Sequence, residues 1–176
     1  RIIKNYNKMA TVLLEFEVLY HRNWYQSVEK FRAGLTASVL IREEETNKLQ
    51  VNLDPLVFEL MQEAKYMKML KLDVPDLALR MHYNERRMKE GYRDLKELVE
   101  KYDAIMKTIS LVIQPLMKPY KSRLEDVLSV GFTSVTWTSM KIPKFVEDVH
   151  QALDDVHLLV TRINDILENR VENVLE

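Results

Sequence analysis

The feature that most constrains this chain is an apolar seam that never slips: Met88, Tyr92, Leu95, Val99, Tyr102, Met106 and Ile109 recur in alternating steps of four and three. That spacing holds one apolar face toward a neighbour in left-handed bundle packing, and a strand cannot carry it. Leu77 and Met81 extend the seam backward, predicting a helix from about Asp76 to Val112, roughly 55 Å long at the standard rise. A second stripe runs Ile2, Tyr6, Met9, Leu13, Phe16, Tyr20, Trp24, Val28 and Phe31, and Val12, Leu14 and Val18 widen it, so that this helix needs more than one neighbour. A third starts at about Ile142 and runs Val146, Val149, Leu153, Val156, Val160, Ile163, Leu167, Val171 and Val174. Three Gly and five Pro in 176 residues leave few breakers. With 47% apolar and 30% charged residues there is material for one or two packed cores, and too much for disorder. The fold class is all-α: an elongated bundle of long heptad-patterned helices with one small β-hairpin.

The segments between the stripes carry the punctuation. Gly34 is placed to end the first helix in a left-handed conformation. Ala37, Val39 and Ile41 then alternate with Ser38, Leu40 and Arg42, and after the solvated run Glu43–Lys48 the residues Leu49, Val51 and Leu53 alternate with Gln50 and Asn52, which predicts the hairpin. Asp54 and Pro55 predict a helix start, Asp54 as N-cap and Pro55 where its missing N–H costs nothing, with the helix running to about Leu70. Its Leu56, Leu60, Met61, Ala64 and Met67 form the apolar face, and Met67 and Met69 read as core fillers. Lys71–Asp73 break the chain before Pro75 opens the next helix. Pro115 and Pro119 begin a shorter helix that Gly131 stops, and Phe132–Thr138 is an extended connector in which Trp137 buries its ring while its N–H finds a carbonyl. The organisation is a long helix over 1–34, a hairpin over 35–53, a helical hairpin region with short flanking helices over 54–131, and a connector with a terminal helix over 132–176. The chain reads as one fragment of a longer protein.

Residues 1–35 carry six basic and three acidic side chains, and residues 142–176 three basic and eight acidic ones. Opposite signs favour pairing of these helices or charged partners, against the plainer reading of solvated polar faces. A formal charge of -1 argues against a general phosphate-backbone binder, and no apolar run approaches the length of a membrane span. Zero Cys removes disulfides, thiolate nucleophiles and sulfur-ligated zinc. With glycine only at 34, 91 and 131 there is no phosphate-cradling loop or dinucleotide fingerprint, and no Gly-x-Ser-x-Gly elbow occurs. The metal candidate is Glu147 and His150, extended by Asp154 and His157 at helical spacing, but a di-metal bundle needs a second Glu-x-x-His and further glutamates that this sequence lacks. Exposed aromatics such as Tyr25 and Tyr120 are candidates for partner contact.

Several phrases occur in a specific order: Leu13-Leu14-Glu15-Phe16-Glu17, Leu19-Tyr20-His21-Arg22 with Trp24, Val51-Asn52-Leu53-Asp54-Pro55, Glu63-Ala64-Lys65-Tyr66, Leu72-Asp73-Val74-Pro75, Gly131-Phe132-Thr133-Ser134-Val135-Thr136-Trp137-Thr138-Ser139, and Ile163-Asn164-Asp165-Ile166-Leu167-Glu168-Asn169-Arg170. Together they resemble the N-terminal tail region of dynein heavy chains, of the axonemal, outer-arm type, over nearly the whole chain. Leu53 stands where the family more often has Phe, and Phe132 and Ser134 where Leu and Thr are commoner. The resemblance implies a non-catalytic segment, upstream of the family's ATP-hydrolysing ring and microtubule-binding stalk, with no cofactor and no metal. It implies a scaffold for heavy-chain assembly and for docking of intermediate and light chains, in the cytoplasm, the cytoskeleton and the axoneme of a cilium or flagellum. Its partners are dynein intermediate and light chains and other dynein heavy chains, with no nucleic acid, no membrane and no direct microtubule contact. The alternative is a metal-binding helical-bundle enzyme. Asn52, Asp54, Pro55, Gly131 and Trp137 read as structural motif residues, not ligand sites.

Overall fold

The structure, a computed structural model, describes residues 2–175, with side chains described over 2–169. Val171, Val174 and Arg170 of the readings above therefore lie outside the described side chains. Among the described residues there are six helices, α1 (Ile2–Thr36), α2 (Leu56–Met69), α3 (Asp76–Tyr83), α4 (Glu85–Thr108), α5 (Gln114–Thr133) and α6 (Ile142–Leu175), and one two-stranded antiparallel sheet of β1 (Leu40–Arg42) and β2 (Leu49–Val51). The all-α reading with one hairpin holds.

The chain folds as two compact units, each drawn from two stretches: Arg1–Leu35 with Leu53–Lys89, and Thr36–Asn52 with Glu90–Glu176. In the first, Trp24 and Val28 of α1 pack with Leu60, Ala64 and Met67 of α2 and Ala78 of α3, and Phe31, Leu72, Val74 and Leu77 close around them. The Asp54 carboxylate accepts the Leu56 N–H at 2.9 Å and its carbonyl the Val57 N–H, which satisfies donors that a helix start leaves open. α2 ends with Lys71 at φ 62, the Leu72 N–H reaching back to the Met67 carbonyl and the Lys71 N–H to that of Lys68. This is the left-handed helix stop usually given to glycine, here on a lysine. Met67 is buried as read, whereas Met69 is exposed at the rim.

The helix read from Asp76 to Val112 is two. Asn84 breaks it: its side-chain amide donates to the Arg80 carbonyl at 2.8 Å, offering the backbone an alternative to helical bonding, and Glu85 starts again. At the far end Thr108 donates to Ile105 and α4 stops there. The seam itself is real. Met88, Leu95, Tyr102 and Ile109 are buried, joined by Leu98 and Ile105, with Tyr92, Val99 and Met106 half-buried on the flank.

In the second unit, α5 packs on α6 and against β1. Its buried residues include Leu40, Leu49, Leu124, Leu128, Phe145, Val149, Leu153 and Val156. In the hairpin Leu40 pairs with Val51 and Arg42 with Leu49, so Leu40 and Leu49 face inward. Ile41 pairs with Gln50 and is exposed. The glycine stops are also corrected: α1 runs past Gly34 to Thr36, α5 runs past Gly131 to Thr133, and no glycine has positive φ. Pro115 stands at the start of α5 and Pro119 inside it. The extended connector shrinks accordingly, with Thr136 making a lone bridge to Ser38.

Candidate assembly surface

α1 enters a core only in its second half. Trp24, Val28 and Leu35 are buried, whereas Ile2, Tyr6, Met9, Leu13 and Phe16, which continue the same face, are 64–85% exposed. Ile3, Val12, Leu14, Val18 and Leu19 lie exposed on the flanks. At roughly 100° per residue, Lys4, Lys8 and Glu15 share one narrow strip, and apolar residues dominate about two-thirds of the circumference, interrupted by Asn5 and Glu17. The stripe that predicts a bundle helix is thus present, but from Ile2 to Phe16 no described residue buries it.

Where this face meets α2 it forms a groove of about 270 Å³, walled by Phe16, Tyr20, Tyr66, Met67, Leu70 and Leu72 and edged by Glu17 and Glu63. Phe16 and Tyr20 stack with ring centroids 6.3 Å apart. Tyr20 donates its hydroxyl to Glu63 at 2.8 Å, and this bond, with some burial, holds the phenol above its ordinary range. At the next residue, His21 Nε2 donates to the Asp73 carbonyl at 2.6 Å, fixing α1 to the loop before α3. The groove is therefore held open by polar contacts at its end, while its floor is apolar.

The residues singled out from the sequence lie elsewhere. Asn52 and Trp137 meet in the second unit, which also holds Gly131. Trp137 is 1% exposed and donates its indole N–H to the Asn52 carbonyl at 2.7 Å, while the Asn52 side chain donates to the Ser38 carbonyl at 2.9 Å. Backbone bonds from Asn52 to Val39 and from Val39 to Val135 complete a knot of three chain segments. Gly131 serves a different end from the one its sequence context suggests: a methyl there would overlap the Phe145 ring and press on Leu40. Asp54 and Pro55 belong to the first unit, at the start of α2.

One cluster was not singled out from the sequence. Arg42 makes two 2.7 Å bonds to the Glu125 carboxylate, reaches the Asn47 carbonyl, and lies over the rings of Tyr102 and Phe132 at 5.8 and 5.5 Å. Burial pushes the Tyr102 phenol up. No local pattern in the sequence points to this clamp, since Glu125 lies 83 residues away.

The metal candidate does not assemble. The Lys101 ammonium sits 2.7 Å from Asp154 Oδ1 and 3.4 Å from His150 Nδ1, so a cation of the protein's own occupies that helix face, and Glu147 and His157 point to solvent. Among the described residues no three His, Asp or Glu side chains form a metal-ligating group, and no helix is long and apolar enough to cross a membrane.

Comparison with known proteins agrees with the phrases quoted from the sequence. The family described as dynein heavy chain, N-terminal region 1, matches residues 1–145. Similar proteins include dynein axonemal heavy chain 5 of Mus musculus, 37% identical over 99% of this chain, and dynein axonemal heavy chain 8 of Homo sapiens, 36% identical over 99%. The flagellar outer-arm dynein gamma chain of Chlamydomonas reinhardtii is 34% identical over 98%. This chain spans only about 4% of the length of each of these relatives.

Proposed function

The chain belongs to the dynein heavy chain family, in its N-terminal region, and we propose that it works there as a non-catalytic scaffold segment of an axonemal dynein tail. In this reading it supports heavy-chain assembly and the docking of intermediate and light chains, within arms attached to the doublets of a cilium or flagellum. Movement along microtubules is driven from elsewhere in the heavy chain, and this segment carries load and holds position.

The observation that carries the reading is the bare arc of α1. A helix that is apolar over most of its circumference is stable only when buried, because water penalises each exposed aliphatic or aromatic side chain. Ten large apolar side chains between Ile2 and Leu19 are more than half exposed. This exceeds the largest apolar patch of an ordinary monomer, roughly 300–600 Å², so the surface belongs to an assembly. A scaffold segment needs such a surface; an enzyme needs converging polar groups in a cleft, and the groove beside α1 offers an apolar floor.

The test is to express the full heavy chain carrying Leu13→Glu together with Phe16→Glu in a ciliated cell and purify the dynein. The scaffold reading expects loss of co-purifying intermediate and light chains, or loss of the arm from the axoneme, with ATPase activity of the heavy chain retained. Normal arms containing the variant would refute it.

A further inference from the structure

We propose that the end of the second unit formed by the α4–α5 turn docks an acidic segment of a separate subunit of the arm, one with aliphatic side chains set among its carboxylates. The proposal rests on the scaffold reading and deepens it, giving one surface a partner of stated chemistry.

Charge comes first. Residues 104–124 contain Lys107, Lys118, Lys121 and Arg123 and no Asp or Glu. α6 adds Arg162 within residues 156–164, a stretch that also lacks acid. The fold brings these stretches together. α4 folds back on α5 through a short turn, Tyr102 donating to Glu125 at 3.2 Å, and α5 runs antiparallel to α6, with Gly131 against Phe145 and Arg123 3.7 Å from Asp155. Continuing that pairing places residues 156–164 beside the first half of α5. One end of the unit therefore presents five cations and no carboxylate, in a chain whose formal charge is -1.

The chain does not neutralise this end itself. Three of the acids that border it are already engaged: Glu125 with Arg42, Asp154 with Lys101 and Asp155 with Arg123. Among the described residues no ion pair engages Lys107, Lys118, Lys121 or Arg162. Cations left together in this way repel one another until an acidic partner arrives, and such a partner is also steered to them.

Apolar surface narrows the partner's chemistry. Leu111 and Val112 in the turn are 81% and 78% exposed, and Leu116 and Tyr120, one turn apart on α5, are exposed as well. A nucleic-acid backbone has nothing to cover four such side chains. A bilayer is flat, whereas at the helical repeat Lys121 lies about 140° and Lys118 about 200° round α5 from Leu116. A plane that meets Leu116 thus misses both ammonium groups. A polypeptide follows the curve of the helix and reaches the apolar flank and the lysines together.

The experiment is photocrosslinking in the full-length heavy chain, within arms assembled on doublet microtubules, with a benzophenone amino acid in place of Leu116 or Tyr120, one at a time. The proposal expects crosslinks to a peptide of another subunit in which Asp and Glu outnumber Lys and Arg and are interleaved with aliphatic residues. The yield should fall about tenfold in the pair Lys118→Glu with Lys121→Glu, and recover in Lys118→Arg with Lys121→Arg. Should the Glu pair fail to fold, wild-type lysines are kept and the crosslinking is repeated in extracted arms at rising salt, where screening should lower the yield severalfold. A yield indifferent to both the substitutions and salt overturns the proposal. So do crosslinks to heavy-chain sequence, tubulin or lipid, crosslinks to a subunit peptide without that excess of acid, and absence of crosslinks at both positions. The scaffold reading is judged separately, at Leu13 and Phe16 of the first unit, so its failure and the failure of this site are told apart.

Discussion

α4 and the first half of α1 carry the same kind of stripe, and their fates differ. Along α4, Leu95 and Leu98 are fully buried and Tyr102 and Ile105 nearly so; along α1, Tyr6, Met9 and Leu13 occupy equivalent steps and face water. The period is alike in both, although α4 is densely charged off its seam and the first half of α1 is not. The difference in fate lies in what surrounds them: α4 has α5 and α6 in its unit, whereas α2 reaches α1 only from about Phe16 onward. An apolar stripe therefore specifies which face of a helix must be covered, and says nothing of whether the covering element lies within the same 176 residues.

The contrast can be broken or sharpened by substitution, beginning where the packing is tightest. Trp137→Ala should lower stability by about 3–5 kcal/mol, because it empties a fully buried site and leaves the Asn52 carbonyl without its donor. A denaturant midpoint unchanged by this substitution would mean that the knot between Ser38, Asn52 and Trp137 does not hold the second unit together. Leu95→Ala should cost about 3 kcal/mol, and Leu13→Ala in the same 176-residue chain no more than about 0.5. Equal effects in paired urea titrations would show that α1 is already covered.

Two of the helical glycines, Gly34 and Gly131, should give opposite signs. Gly131→Ala should destabilise by about 1–2 kcal/mol, since overpacking against Phe145 and Leu40 outweighs the gain in helix propensity. Gly34→Ala meets nothing within 4 Å in the last turn of α1 and should stabilise by up to about 1 kcal/mol. Thermal melts of the pair decide whether these glycines differ as the packing says.

Those glycines also mark where sequence reasoning stopped. Gly34 and Gly131 stand near helix ends, and position along the chain made both look like stops. What Gly131 does depends on Phe145 arriving fourteen residues later from another helix, which no local window contains. Asn84 hid in the same way, because a helix break made by a side chain looks from sequence like one more polar residue on a solvated face. By contrast, the seams, the start of α2 at Asp54, the opening of α3 after Pro75 and the start of α6 were legible, since each rests on spacing or on a residue acting within one turn of itself. The bare arc was half legible: its width called for several neighbours, and nothing in the sequence could say that this segment lacks them. Arg42 and Glu125 were not legible at all, being joined only by the fold.

The central claim is that the arc of α1 is an interface, bare in this segment and covered in assembled dynein. Hydroxyl-radical footprinting measures it directly, because Tyr6, Met9, Phe16 and Tyr20 are oxidised in proportion to their exposure. Read in the isolated chain and in the intact arm, these four side chains should react readily in the first and be strongly protected in the second, while exposed Tyr83 serves as an internal reference. Equal oxidation of Tyr6 and Met9 in both states would contradict the account.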